Sequence, residues 1–240
     1  MRPFRVIAFD ADDTLWHNER LYVRAQTQLK ALLSGYVADE QMDEHLYKTE
    51  MRNLEHFGYG IKAFTLSMIE TAIELTNGGI SARDIQGIID NARDMMVADV
   101  ELLGYVDEAL GLLAADHTLM LITKGDLLDQ ERKVARSGLA QHFRYVEIVS
   151  DKACENYNAI LQRLSIPASD FLMVGNSLRS DILPVLELGS TAVYVPQELT
   201  WVHESAEPPP SSQPGFHQIE HLGQLPALVV RLEEQRAAAP

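Results

Sequence analysis

Residues 6–16 read VIAFDADDTLW, a strand-like apolar run followed by three aspartates within four positions, Asp10, Asp12 and Asp13. Short apolar runs of this kind suit a buried strand, and carboxylates set at its end need partners. Two readings stand side by side. Asp and Thr commonly cap a helix while a further carboxylate faces water. Alternatively, the carboxylates gather a metal ion and a phosphate. The stretch by itself leaves both open, and the remainder of the chain has to decide.

With 240 residues, of which 46% are hydrophobic and 23% charged, the chain can bury a substantial core as one large domain or as a core carrying an insertion. Its formal charge of −15 disfavours nucleic acid or an anionic membrane as partner, because such surfaces repel carboxylates. Any phosphate site must therefore be locally positive. One cysteine, Cys154, excludes an intrachain disulfide framework and, with no base assigned to it, reads as an inert thiol. The chain enters strand-like sequence at once, without a signal-peptide pattern, and no apolar run is long enough for a bilayer. The expectation is a cytoplasmic protein acting on a small molecule.

β-rich apolar runs recur at FRVIAF (4–9), TLMLIT (118–123), YVEIV (145–149), FLMV (171–174) and TAVYV (191–195). Between them lie helical periods such as VDEALGLLA, with Val106, Ala109, Leu110 and Leu113 spaced by three and four. Strands alternating with helices predict a parallel sheet wrapped on both faces. One gap breaks the rhythm. From His17 to about residue 100 there are only helical stretches punctuated by Gly35, Gly58, Gly60 and Gly78–Gly79, too long for a structureless loop. The fold class is therefore α/β, a Rossmann-like doubly wound sheet over 1–16 and 101–240, with a smaller all-helical domain at 17–100. In that insertion Tyr47, Phe57, Tyr59 and Phe64 read first as packing and second as substrate contacts. EPPPSSQP (207–214) is a linker, and the segment after it closes the chain with a helix holding Leu225, Leu228, Val229 and Leu232 on one stripe and Pro226 in its first turn. His217 and His221 stand four apart but belong to an irregular strand edge rather than a zinc site.

In a doubly wound sheet, ligands sit beyond the carboxyl ends of the strands. Those ends deliver Thr123, Lys152 and the stretch GNSLRSD (175–181). A hydroxyl, an ammonium and another carboxylate are what a magnesium-dependent phosphoryl site requires. Each has an ordinary alternative: a cap for Thr123, a solvated charge for Lys152, turn or cap roles for Asn176, Ser177 and Asp181. Their coincidence at successive strand ends favours the site. No nucleotide-binding P-loop, dinucleotide glycine motif or G-x-S-x-G elbow competes with it.

The order D-A-D-D-T-L, a strand ending in Thr, Ser-Asp-Lys, then V-G-N-S-x-x-S-D resembles the haloacid dehalogenase superfamily, with the helical stretch resembling that superfamily's cap. The resemblance implies Asp10 as nucleophile forming an aspartyl-phosphate, and Asp12 as general acid and then general base. It implies Mg²⁺ held by Asp10, the backbone carbonyl of Asp12 and Asp181, with Asn176 supplying an oxygen or orienting a water. Thr123 would bind the phosphoryl oxygens, Lys152 would supply a fixed positive charge to the nucleophile and the phosphate, Thr14 would bond the turn backbone, and Asp13 would serve as a cap or loop residue. Two positions depart from the commonest pattern. Asn176 stands where an aspartate is frequent, and Lys124 follows Thr123 where Asn is frequent. Lys124 could contact the leaving group, be a solvated lysine, or replace Lys152 in its role, and Arg179 reaches an anion or faces solvent. Trp201, in the loop after a core strand, could cover the site. Asp12 argues against a haloacid dehalogenase, which needs neither a second carboxylate nor Mg²⁺. A phosphatase is expected, with a phosphomutase or haloacid dehalogenase of the same fold, or a non-catalytic phosphate-binding or interaction protein, as the alternatives. The cap is the expected source of substrate selectivity.

Overall fold

The run after Arg5 forms strand β1 (Val6–Phe9), every residue of it buried, in a computed structural model that describes residues 3–238. Four helices follow: α1 (Glu19–Leu33), α2 (Asp39–Phe57), α3 (Ile61–Leu75) and α4 (Ala82–Val97). Strand–helix alternation then runs through α5 (Val106–Ala114), β2 (Thr118–Lys124), α6 (Leu127–Arg136), β3 (Phe143–Val149), α7 (Cys154–Arg163) and β4 (Phe171–Gly175). The chain ends with α8 (Leu183–Glu187), β5 (Thr191–Tyr194), β6 (Phe216–Gln218) and α9 (Leu225–Ala238).

The six strands form one sheet in the order β3-β2-β1-β4-β5-β6. β1 pairs in parallel with both β2 and β4, β4 with β5, and β5 with β6. Phe9 lies opposite Leu121 on one side and Val174 on the other, so the residues that follow all three emerge at one edge. Chain direction across the sheet reverses between β1 and β4, which opens a crevice at their carboxyl ends. The period-two alternation of a strand sorts the apolar residues into two layers. Ile7, Phe9, Leu121 and Val174 pack with Leu110 of α5 and Val229 of α9. Val6, Ala8, Met120 and Met173 pack with Tyr157 and Ile160 of α7 on the other face. Pro226 sits in the first turn of α9, where its missing N–H costs no helix bond.

The chain divides into two compact units: residues up to 19, 100–123 and 131 onward, and residues 20–99 with 124–130. The seven residues 124–130 thus group with the helical unit, although they fall inside the stretch read as core from sequence. Within the helical unit, Leu29 and Leu33, Met42 and Leu46, Phe64 and Met68, and Ile88 and Met95 contribute one stripe from each helix to a common apolar centre. Ser81 caps α4 by accepting from Asp84 N at 3.1 Å. Of the insertion's aromatics Phe64 is buried, its ring 4.9 Å from that of Tyr22, whereas Tyr47 and Phe57 are exposed. These last two, expected first as packing, lie on outward-facing positions of α2.

The sequence reading lacks β6 as a defined element. It is a three-residue edge strand whose pairing with β5 carries His217, while His221 stacks on Tyr105 at 4.5 Å. Among the described residues no helix is long and apolar enough to cross a membrane.

Candidate active site

Asp10 leaves β1 still tied to the sheet, its N–H donating to Val174 O at 2.9 Å. The backbone then folds on itself: Leu15 N donates to Ala11 O at 2.8 Å and Asp13 N to Trp16 O at 2.7 Å. Asp13 takes a left-handed conformation, φ 59°, which Asp tolerates better than most residues. Its carboxylate accepts from Asn18 N at 2.8 Å and Glu19 N at 2.9 Å, fixing the entry into α1. This is the cap role expected for it. Burial pushes the Asp13 carboxyl up to about 6, against the pull of the two N–H groups and with Asp12 adding to the rise.

Asp10 itself is 6% exposed. Its Oδ1 accepts from Lys152 Nζ, and its Oδ2 accepts from Thr14 Oγ1 at 2.9 Å. Lys152, also buried, bridges onward to Asp181 Oδ1 at 2.8 Å, and Asp181 Oδ2 accepts from Ser177 N at 3.0 Å. Burial raises the Asp10 carboxyl to about 7; Lys152 opposes the rise, whereas Asp181 and Asp12 add to it. For Lys152 burial works against the ammonium, yet Asp10 and Asp181 hold it well above its ordinary value. Thr14 departs from its expected role: instead of serving the turn backbone, its hydroxyl orients the Asp10 carboxylate and receives Asn176 N at 3.1 Å. One hydroxyl therefore ties the end of β1 to the end of β4.

Asp12 points to a different cation. Lys133 of α6 stands 2.7 Å from Asp12 Oδ1 and 2.8 Å from Oδ2, and Trp16 Nε1 donates to Oδ1 at 2.7 Å. Nothing in the sequence singled out Lys133. Asn176 directs its amide at Thr14 Oγ1 (3.1 Å), Asp10 Oδ2 (3.2 Å) and the backbone carbonyl of Asp12 (3.2 Å). With the amide nitrogen inward, these are hydrogen bonds. With the oxygen inward, Asn176 Oδ1 stands 3.2 Å from each of Asp10 Oδ2 and Asp12 O, about the spacing of neighbouring oxygen ligands around Mg²⁺. The charge balance points the same way. Asp10, Asp12, Asp13 and Asp181 outnumber the ammonium groups of Lys133 and Lys152. These residues fit a divalent cation, although among the described residues no three His, Cys, Asp or Glu side chains gather as ligands. Asp181, expected as a ligand, spends Oδ1 on Lys152 and Oδ2 on Ser177 N.

Asp181 lies in a π-helical turn, Leu178–Ile182, a geometry frequent at functional sites. Ser177 caps it by accepting from Ser180 N at 3.0 Å, and Tyr157 Oη donates to Ser180 O at 3.0 Å. A second residue missed from sequence supports this turn. Glu204 Oε2 accepts from Ser180 Oγ at 2.5 Å and from Ser177 Oγ. Arg179 Nη1 donates to His203 O at 3.2 Å, so it binds the loop after β5. Trp201, considered as a cover for the site, has its ring 4.8 Å from that of His203.

Thr123 is buried near the carboxyl end of β2, in the same unit as Asp10. Lys124 belongs to the helical unit, its Nζ 3.8 Å from the Tyr59 ring centroid.

Residues 4–189 match the family model for haloacid dehalogenase-like hydrolases. No curated protein sequence matches the chain. Among solved structures, a haloacid dehalogenase-like family hydrolase from Xanthomonas campestris is 42% identical with a TM-score of 0.88, over 98% of this chain and 94% of that one. The HAD-hydrolase YfnB from Bacillus subtilis, solved bound to magnesium, shares 18% identity at a TM-score of 0.68, over 95% and 99% of the two chains. A 2-haloacid dehalogenase from Pseudomonas syringae pv. Tomato DC3000 shares 24% at 0.63, over 95% and 99%.

Proposed function

This chain belongs to the haloacid dehalogenase-like hydrolase family, and from that premise we propose that it hydrolyses a small-molecule phosphate monoester, with Mg²⁺ as cofactor. The observation that carries this reading is Asp12, a second carboxylate two residues beyond the buried Asp10. Displacing a halide from carbon needs no proton donor at the leaving group, whereas releasing an alkoxide from phosphorus does.

Asp10 attacks phosphorus, forming a bond from its carboxylate oxygen as the bond to the leaving oxygen breaks. Thr14 and Lys152 hold the attacking carboxylate in one orientation, and the buried ammonium of Lys152 offsets charge gathering on the phosphoryl oxygens. Thr123 donates its hydroxyl to one of those oxygens. Asp12 delivers a proton to the leaving oxygen and then withdraws one from the water that hydrolyses the aspartyl-phosphate. Asp10, the Asp12 carbonyl and Asn176 would hold Mg²⁺, which when bound offsets the repulsion between carboxylate and phosphate.

The test is phosphate release from p-nitrophenyl phosphate by the purified full chain, run beside halide release from 2-chloropropionate. Phosphate release that EDTA abolishes, Mg²⁺ restores and Asp10→Asn eliminates is expected. Halide release without phosphate release, or turnover indifferent to EDTA, overturns the reading.

A further inference from the structure

Each of the two acids placed at the chemistry has its own ammonium, and only one of these comes from the strand-end motifs. Lys152 follows β3, whereas Lys133 rises from the C-terminal half of α6. Lys133 is 8% exposed, a rare state for lysine unless it is paired. Its three donors meet Asp12 Oδ1 at 2.7 Å, Asp12 Oδ2 at 2.8 Å and Asn18 Oδ1 at 3.1 Å. Trp16, 1% exposed, adds its indole N–H to Asp12 Oδ1. The turn that carries the indole is locked by Asp13 N donating to Trp16 O. Both oxygens of Asp12 are therefore held by buried donors, the Trp16 indole and the Lys133 ammonium on Oδ1 and the ammonium on Oδ2, which together oppose rotation of the carboxylate.

We infer that Lys133 is a positioning residue for the leaving-group step: by gripping both oxygens of Asp12 it holds that carboxyl where a proton passes to the departing oxygen. This rests on the phosphomonoesterase reading and adds to it. A general acid works only within hydrogen-bond reach of its target, and a misplacement of about 1 Å costs on the order of 100-fold in rate. Lys133 also leaves a positive charge beside Asp12 once the proton has gone, so the carboxylate it becomes is not left unpaired. The ammonium touches neither Asp10 nor the phosphate in this assignment; its whole effect passes through Asp12.

A leaving-group series separates this role from a structural one. An alkyl phosphate depends on protonation of its leaving oxygen, whereas p-nitrophenolate leaves well without it. Lys133→Met is expected to lower kcat on the alkyl ester by on the order of 100-fold and on p-nitrophenyl phosphate by less than about tenfold. KM should be nearly unchanged on either. Asp12→Asn should show the same selectivity, and adding Lys133→Met to Asp12→Asn should cost little more, the non-additivity of two residues that act as one unit. Lys133→Gln, which keeps a donor in the same space, provides a second variant if the Met form does not fold. Equal losses on both esters, or additive losses in the double variant, overturn the assignment while leaving the phosphatase reading in place. Absence of phosphate release from either ester by the unaltered protein overturns both together.

Discussion

Asp181 lies against Gly175 so closely that a Cβ added to the glycine would stand 2.3 Å from Asp181 Oδ2 and 2.4 Å from its carboxyl carbon. The glycine that ends β4 is thus required for its lack of a side chain, and the space it leaves is filled by the carboxylate that holds Lys152 and Ser177 N. Gly175→Ala should push Asp181 off both partners. The expected result is a loss of about 1–3 kcal/mol of stability from overpacking, read as a lower urea midpoint. Phosphate release should fall by more than about 100-fold, because Lys152 loses one of its two anchors.

Lys152 is wedged between two buried carboxylates, so removing it should leave Asp10 and Asp181 facing one another without a cation. Lys152→Met keeps the length and loses the charge. Unfolding in urea without divalent ions should show a loss of roughly 3–5 kcal/mol, the usual result of stripping one partner from a buried pair. Millimolar Mg²⁺ should recover more stability in this variant than in the unaltered protein, since the uncompensated charge favours the ion. An equal Mg²⁺ response in both proteins would contradict ion binding beside Asp10.

Much of this site is legible in the sequence because strand ends are. A strand announces itself through a short apolar run, and the polar residue at its end must emerge at the sheet edge; Asp10, Thr123 and Asn176 are found by that rule, whereas Asp181, six positions beyond Gly175 in the π-helical turn, is reached through the longer stretch GNSLRSD. Lys133 is not, since LLDQERKVAR reads as any amphipathic helix bearing a surface lysine. Its burial arises only when α6 docks and brings it to a carboxylate 121 positions earlier. Glu204 is hidden for the same reason, since its carboxylate meets Ser177 and Ser180, 27 and 24 positions earlier. The helical insertion is legible as a kind but not in its facing. Phe57 and Tyr47 read as packing yet turn outward, because Leu46 and Met42 already fill the inner stripe of α2.

His217 gives a pH dependence independent of the site. Burial lowers the pKa of its imidazole, and Arg231 adds to the effect. The unfolded chain therefore binds a proton more readily than the folded one, so this contribution to stability is complete above the unfolded value of about 6.5 and is lost as pH falls through the lower folded value. His217→Gln, which cannot titrate, should flatten the decline in urea midpoint from pH 7 towards pH 5. An unchanged slope would exclude His217 as a contributor.

Glu204 should matter through the turn it grips. Its Oε2 takes the hydroxyls of both Ser177 and Ser180, which lie in the turn between Asn176 and Asp181. Glu204→Gln preserves shape and one acceptor oxygen, and the serine hydroxyls can rotate to use it, so turnover should fall by less than about tenfold. Glu204→Ala leaves both buried hydroxyls without this acceptor and frees the turn to shift. Since partners one step removed from a metal ligand typically change affinity by about 10–100-fold, the Mg²⁺ concentration for half-maximal phosphate release should rise by that factor. Substrate KM at saturating Mg²⁺ should change much less. A variant that loses turnover at every Mg²⁺ concentration with an unaltered half-maximal point would show that Glu204 supports the fold of the loop after β5 and not the placement of Asn176.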